Sequence, residues 1–131
     1  MKKGTLLNQA ISNVIAGMGH TNELVIADAG LPIPASTQRI DLALTKNVPT
    51  FIETLRVVLS ELHVEKIVVA EEITTSSPHI FDAIKNLLGD VLIETMPHEE
   101  FKVRTGSATA VIRTGDFSAY ANIILISGVV F

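Results

Sequence analysis

Residues 23–27, Glu-Leu-Val-Ile-Ala, are apolar on both faces of an extended chain, the mark of a strand covered by helices above and below. Asp28-Ala29-Gly30 follows at once, and then Leu31-Pro32-Ile33-Pro34-Ala35-Ser36, a loop because its two prolines bring no N–H to a sheet ladder. A short buried strand stopped by a carboxylate and a proline loop points to a layered α/β architecture. In such sheets ligands bind outside the carboxyl ends of the strands.

The rest of the chain repeats that alternation. Asn8 is a candidate N-cap for a helix carrying Ile11, Val14, Ile15 and Met18 on one face, closed by Gly19. Arg39 to Leu44 reads as a second strand. Phe51, Leu55, Val58, Leu59 and Leu62 mark a second helix, with Pro49 near its first turn. Lys66 to Ala70 is strand again. Ser77 and Pro78 start a helix as N-cap and first residue, with Ile80, Phe81, Ile84, Leu87 and Leu88 as its apolar face and Gly89 as its stop. Val91 to Thr95, a short helix from His98 to Val103, and strands Ala110 to Arg113 and Ile123 to Ile126 complete the pattern. The expected fold is a single-domain three-layer α/β sandwich over residues 1–131, with a mostly parallel central sheet.

Composition narrows the function. The 131 residues contain no cysteine, which removes disulfides, thiolate nucleophiles and Cys-based metal sites, and permits an intracellular location. Ten basic against 14 acidic residues give a net charge of −4, with no basic run longer than Lys2-Lys3, so nucleic acid and anionic membrane are disfavoured partners. After Lys3 the polar pair Asn8-Gln9 interrupts any signal-like apolar run, and no run approaches the ~20 residues of a membrane span. A mean hydropathy of +0.41 is high for a soluble monomer and hints at buried subunit interfaces.

Four places can carry chemistry. His20 stands at a helix end, either as a cap near the negative end of the dipole or as a general acid–base group. Asp28, at the carboxyl end of a buried strand, is a turn-former or a site residue. His98 opens a short helix after another strand, followed by Glu99 and Glu100, whose charges suit a helix N-terminus; it is either solvated or turned toward the cleft of Asp28. Adjacent residues there diverge by about 100°, which argues against a metal. Tyr120 and Asn122, two apart in a segment read as extended, share a face on which a hydroxyl and an amide would suit a sugar; a turn Asn beside an interface Tyr is the plainer alternative. His63 and His79, in helix-forming stretches, read as surface residues. Glu71-Glu72, read as extended, faces opposite ways and makes no glycosidase pair. No dinucleotide or phosphate-loop glycine pattern and no nucleophile elbow exists.

Five separated blocks carry a resemblance: Gly-His-Thr at 19–21, Ile-Ala-Asp-Ala-Gly-Leu-Pro-Ile-Pro at 26–34, Ile-Asp-Leu-Ala-Leu at 40–44, Pro-His-Glu-Glu-Phe-Lys at 97–102 and Ala-Val-Ile-Arg-Thr-Gly-Asp-Phe-Ser-Ala-Tyr-Ala-Asn-Ile-Ile-Leu at 110–125. In this order they resemble the D-ribose pyranase family from end to end. The related L-fucose mutarotases share the Asp-Ala block and the aromatic-x-Asn ending but match less closely. The resemblance implies a cytoplasmic, cofactor-free and metal-free isomerase that interconverts the pyranose and furanose forms of D-ribose. It further implies a homo-oligomer, commonly a decamer, with sites at subunit boundaries. On matching positions, His20 takes the role of catalytic proton donor, while Asp28, His98 and Tyr120-Ala121-Asn122 take those of sugar-binding residues. A mutarotase of another aldose, such as L-fucose, and a non-catalytic sugar-binding module accessory to ribose transport are the alternatives.

Overall fold

A computed structural model describes all residues, Met1–Phe131. The elements run α1 (Gln9–Gly17), β1 (Glu23–Ala27), β2 (Arg39–Asp41), α2 (Phe51–Leu59), β3 (Val64–Ala70), α3 (Ile73–Ser76), α4 (Pro78–Leu88), β4 (Leu92–Met96), α5 (His98–Arg104), β5 (Ala110–Arg113) and β6 (Ile123–Ser127). One six-stranded sheet takes the order β2-β5-β1-β6-β3-β4. Five strands point the same way; β6 lies between β1 and β3, antiparallel to both. No helix is long and apolar enough to cross a membrane.

Period-two alternation divides the strands between two cores. Leu24, Ile26, Ile67, Val69, Ile112, Ile123 and Leu125 face the larger one, against Ile11 and Val14 of α1, Phe51, Leu55 and Val58 of α2, and Ile80 and Ile84 of α4. Val25, Ala27, Val68, Val111, Ile124 and Ile126 face the smaller one, against Phe101 of α5 and Leu31 of the loop after β1. The three expected layers are therefore present, and the sheet is mixed because of β6 alone. Phe101 is the one fully buried side chain of α5, and its burial contributes about 1.5–3 kcal/mol to holding that helix down.

Local chemistry moves several expected boundaries. Asn8 caps α1 as expected, its side chain accepting the Ile11 N–H at 2.9 Å. The helix ends at Gly17, however, with extended Met18 as C-cap; Gly19 instead belongs to the next turn, its N–H donating to Asn22 Oδ1 at 2.7 Å. Strand β2 stops at Asp41, whose carboxylate accepts the Ala43 N–H at 3.0 Å and bends the chain. Thr50, not Pro49, sets the start of α2, through a reciprocal capping box with Glu53. Ser77 precedes α4 but does not cap it; its hydroxyl donates to the Ala119 carbonyl at 2.7 Å. Gly89 closes α4 as expected, with φ +58°. The four-residue α3 is too short to leave a periodic signal in the sequence.

Candidate functional site

The antiparallel insertion of β6 decides where polar residues gather. At the carboxyl edge of the five co-directional strands lie Asp28 after β1, Glu72 after β3, His98 after β4 and Asp116 after β5. Since β6 runs the other way, its beginning lies at that same edge and brings Tyr120, Ala121 and Asn122 with it.

Asp28 is held from both ends by one amide. Asn122, fully buried, accepts the Asp28 N–H through Oδ1 at 2.9 Å and donates through Nδ2 to Asp28 Oδ2 at 2.9 Å. The Gly30 N–H donates to the other carboxylate oxygen at 2.9 Å. Burial pushes the Asp28 carboxyl above its ordinary value, against the opposing hydrogen bonds from Gly30, Asn122 and Leu31 and the nearby His98. It is a carboxylate fixed in direction and made more basic, the state expected of a proton acceptor.

His98 is the first residue of α5, and its N–H donates to both Glu72 carboxylate oxygens at 3.1 Å. The ring stands edge-on to Tyr120, with centroids 4.9 Å apart at 83°, and lies near-parallel to Phe101 at 6.3 Å. Its Nδ1 is buried without a hydrogen-bond partner. Asp28, Gly30, Leu31, Pro32, His98, Ala119 and Tyr120 line a cavity of about 280 Å³. A neighbouring cavity of about 360 Å³ shares Asp28, Gly30 and Ala119 and extends to Arg113, Asp116 and Phe117. Of the two, the first brings a carboxylate, an imidazole and a phenol around one small space. Nowhere do three His, Asp or Glu side chains converge as a metal site.

Two details differ from the extended reading of the 120–122 segment. Tyr120 has φ +61°, a left-handed conformation uncommon for a non-glycine residue, and packs on His98. Asn122 spends both ends of its amide on Asp28, and Ala121 is buried in the larger core, so only Tyr120 turns its side chain to this cavity.

His20 is elsewhere. It precedes β1 while Asp28 follows it, and a five-residue strand spans about 16 Å. In one chain, no pentose touches both. His20 lies in a turn whose Thr21 has φ +67°, and its Nε2 is 3.0 and 3.1 Å from the two Glu65 carboxylate oxygens. His63, placed between α2 and β3 and not on a helix, lies beside it; together with Gly128 and Phe131 they line a cavity of about 470 Å³. His79 is exposed on α4, as expected of a surface residue.

Three acids escaped sequence reading. Glu72 lies in a turn and not an extended pair, and reaches His98 across 26 positions. Glu65 reaches His20 across 45. Asp116, present in the sequence reading only as part of the 110–125 block, is buried; its Oδ2 accepts the Phe51 N–H at 2.8 Å and its Oδ1 the Ser118 N–H at 2.8 Å. The contacts of Glu72 and Glu65, and that of Asp116 with Phe51, leave no local signal, because each joins distant elements.

The model of the RbsD / FucU transport protein family matches residues 1–130. The chain belongs to that family. It is 52% identical over 131 residues, the whole of both chains, to the D-ribose pyranase of Coprothermobacter proteolyticus. Among solved structures it resembles Bacillus subtilis RbsD complexed with D-ribose, with TM-score 0.97, 46% identity and full coverage of both chains. The fucose mutarotase of Streptococcus pneumoniae in complex with L-fucose also matches over the whole of both chains, with TM-score 0.85 and 25% identity. This family member thus carries its polar edge on a fold shared by both branches.

Proposed function

We propose that this chain is a D-ribose pyranase, an isomerase that interconverts the pyranose and furanose forms of D-ribose. The observation that carries the reading is the full-length identity of 52% to a D-ribose pyranase, against 25% to a fucose mutarotase. Mutarotation of L-fucose is the second reading, favoured only by the shared fold.

Ring opening and re-closure each ask for two proton transfers and no redox change, so ionisable side chains suffice. In this reading His20, as imidazolium, gives a proton to the ring oxygen while the C1–O bond breaks and its electron pair stays on that oxygen. Asp28 takes the proton of the anomeric hydroxyl, and the open-chain aldehyde forms. A different hydroxyl then attacks C1, loses its proton to His20, and Asp28 returns its proton to the carbonyl oxygen. Protons balance, and the two groups end as they began. The raised basicity of Asp28 supports its part. His98 and Tyr120 would bound the sugar, with Ala121 and Asn122 supporting that wall from the backbone and through Asp28.

Because His20 and Asp28 lie at opposite edges of the sheet, the reading requires His20 from one copy to meet Asp28 of another. Sites at subunit boundaries of a homo-oligomer, commonly a decamer in the family resembled, meet that requirement. Exposed Leu7, Leu44, Leu92, Val103, Phe117 and Val130 supply apolar surface for such boundaries. A cytoplasmic location belongs to the same reading and rests on the resemblance.

The test is magnetisation-exchange NMR on D-ribose at equilibrium. Faster pyranose–furanose exchange with the native protein, absent with His20→Ala, is the expected result. Acceleration for L-fucose but not D-ribose would favour the mutarotase; tight ribose binding without acceleration would leave a binding module.

A further inference from the structure

Three features of the sheet's other edge converge on Glu65. The register of β3 against β6 pairs Val64 with Ser127 and Lys66 with Ile126, so two steps on β3 meet one on β6 and Glu65 is the extra, bulged residue. A bulge breaks the alternation of a strand and re-aims the side chain at that position. The redirected side chain reaches His20 Nε2 with both oxygens, at 3.0 and 3.1 Å. Behind it, Gly128 leaves no room for a larger residue: a Cβ there would lie 2.8 Å from His63 Cδ2 and 3.1 Å from Glu65 Cβ.

We infer that Glu65 is the positioning residue of His20, fixing the ring so that Nδ1 is the nitrogen that exchanges a proton with the sugar. The inference rests on the pyranase reading for its catalytic part. A carboxylate only accepts hydrogen bonds, so the nitrogen facing it carries the hydrogen and the opposite nitrogen is left for chemistry. Of the other ionisable groups around the ring, Glu61 is occupied by Lys2 Nζ at 2.6 Å, and neither it nor His63 is bonded to His20. Glu65 is thus the one acid that selects between the two ring nitrogens. When His20 becomes imidazolium, the same carboxylate faces the new charge, as the acid behind a general-base histidine does elsewhere.

The test pairs ¹⁵N NMR of the His20 ring with ribose exchange kinetics on the intact protein. In the native protein the neutral ring should be the Nε2–H tautomer. Glu65→Ala should abolish that preference and lower kcat about tenfold or more, up to the ceiling of roughly 10²–10⁴ that a positioned acid–base group supplies, with KM little changed. Glu65→Gln, which still offers a carbonyl acceptor, should restore the tautomer and part of the rate. An unchanged tautomer in Glu65→Ala overturns the inference, and so does a changed tautomer with undiminished kcat. If the native protein accelerates no ribose exchange, the pyranase reading and the catalytic part of the inference fail together, while the ring shifts still decide whether Glu65 sets the tautomer.

Discussion

Asn122 grips Asp28 at backbone and carboxylate together, its Oδ1 on the N–H and its Nδ2 on Oδ2, both at 2.9 Å. This contact spans 94 positions and fastens the turn after β1 to the start of β6. Asn122→Ala strips the Asp28 N–H of its partner and takes from the carboxylate the bond on Oδ2, leaving Gly30 to orient it from one side. Unfolding in urea should show a loss of about 1–3 kcal/mol, the cost of orphaning a buried polar group, with a fall in kcat for ribose exchange.

Asp28 makes activity and stability pull in opposite directions. Its folded pKa is raised above the ordinary 3.8 by burial. A group so raised favours the folded state below its unfolded pKa, and that contribution is lost as pH climbs through the folded value. The ionised form present at neutral pH is therefore the strained one. Asp28→Asn should be inactive, and its stability relative to the native protein should improve as pH rises from 4 toward 7, because only the native protein carries the buried carboxylate; thermal melts across that range measure it. The acid limb of kcat in the native protein should likewise fall above 3.8.

Asp116 clamps the loop that walls Asp28. Its buried carboxylate takes the first N–H of α2, from Phe51, and its carbonyl accepts the Ala29 N–H at 2.9 Å. Asp116→Ala should cost about 1–3 kcal/mol through the orphaned helix N–H. Next to it, a Cβ on Gly115 would lie 2.5 Å from the Thr45 and Val48 carbonyl oxygens, which are backbone and cannot rotate away. Gly115→Ala should therefore destabilise by a similar ~1–3 kcal/mol. Equal denaturation midpoints for native and variant proteins would contradict both.

How much of this was legible follows from range. Asn8, Gly89 and strand β1 were readable because caps, turns and buried strands leave their signal within a few residues. The Asp28 edge was readable because a carboxylate at the end of an apolar strand is unusual in itself. The grip of Asn122, the contact of Glu65 with His20 and the mixed sheet depend on where β6 inserts, and direction within a sheet leaves no mark in an all-apolar run such as Ile123–Ile126; Glu72 meets His98 through the parallel pairing of β3 with β4, equally unmarked. The separation of His20 from Asp28 was hidden for a different reason. The family resemblance puts both in one site, but only the fold places them at opposite ends of β1.

That separation yields a complementation test. If each site takes His20 from one copy and Asp28 from another, His20→Ala and Asp28→Asn proteins are each inactive for different reasons, and mixed assemblies contain some boundaries where both residues are native. Random mixing of equal amounts restores about one quarter of such sites, since the copy giving His20 must be the Asp28 variant and its neighbour the His20 variant. Co-expressing the two variants and following pyranose–furanose exchange should recover roughly that fraction of native activity. No recovery in assemblies shown by mass spectrometry to contain both chains would mean that one copy supplies the whole site, which the length of β1 forbids for a sugar touching both residues, and the paired roles of His20 and Asp28 would then have to be abandoned.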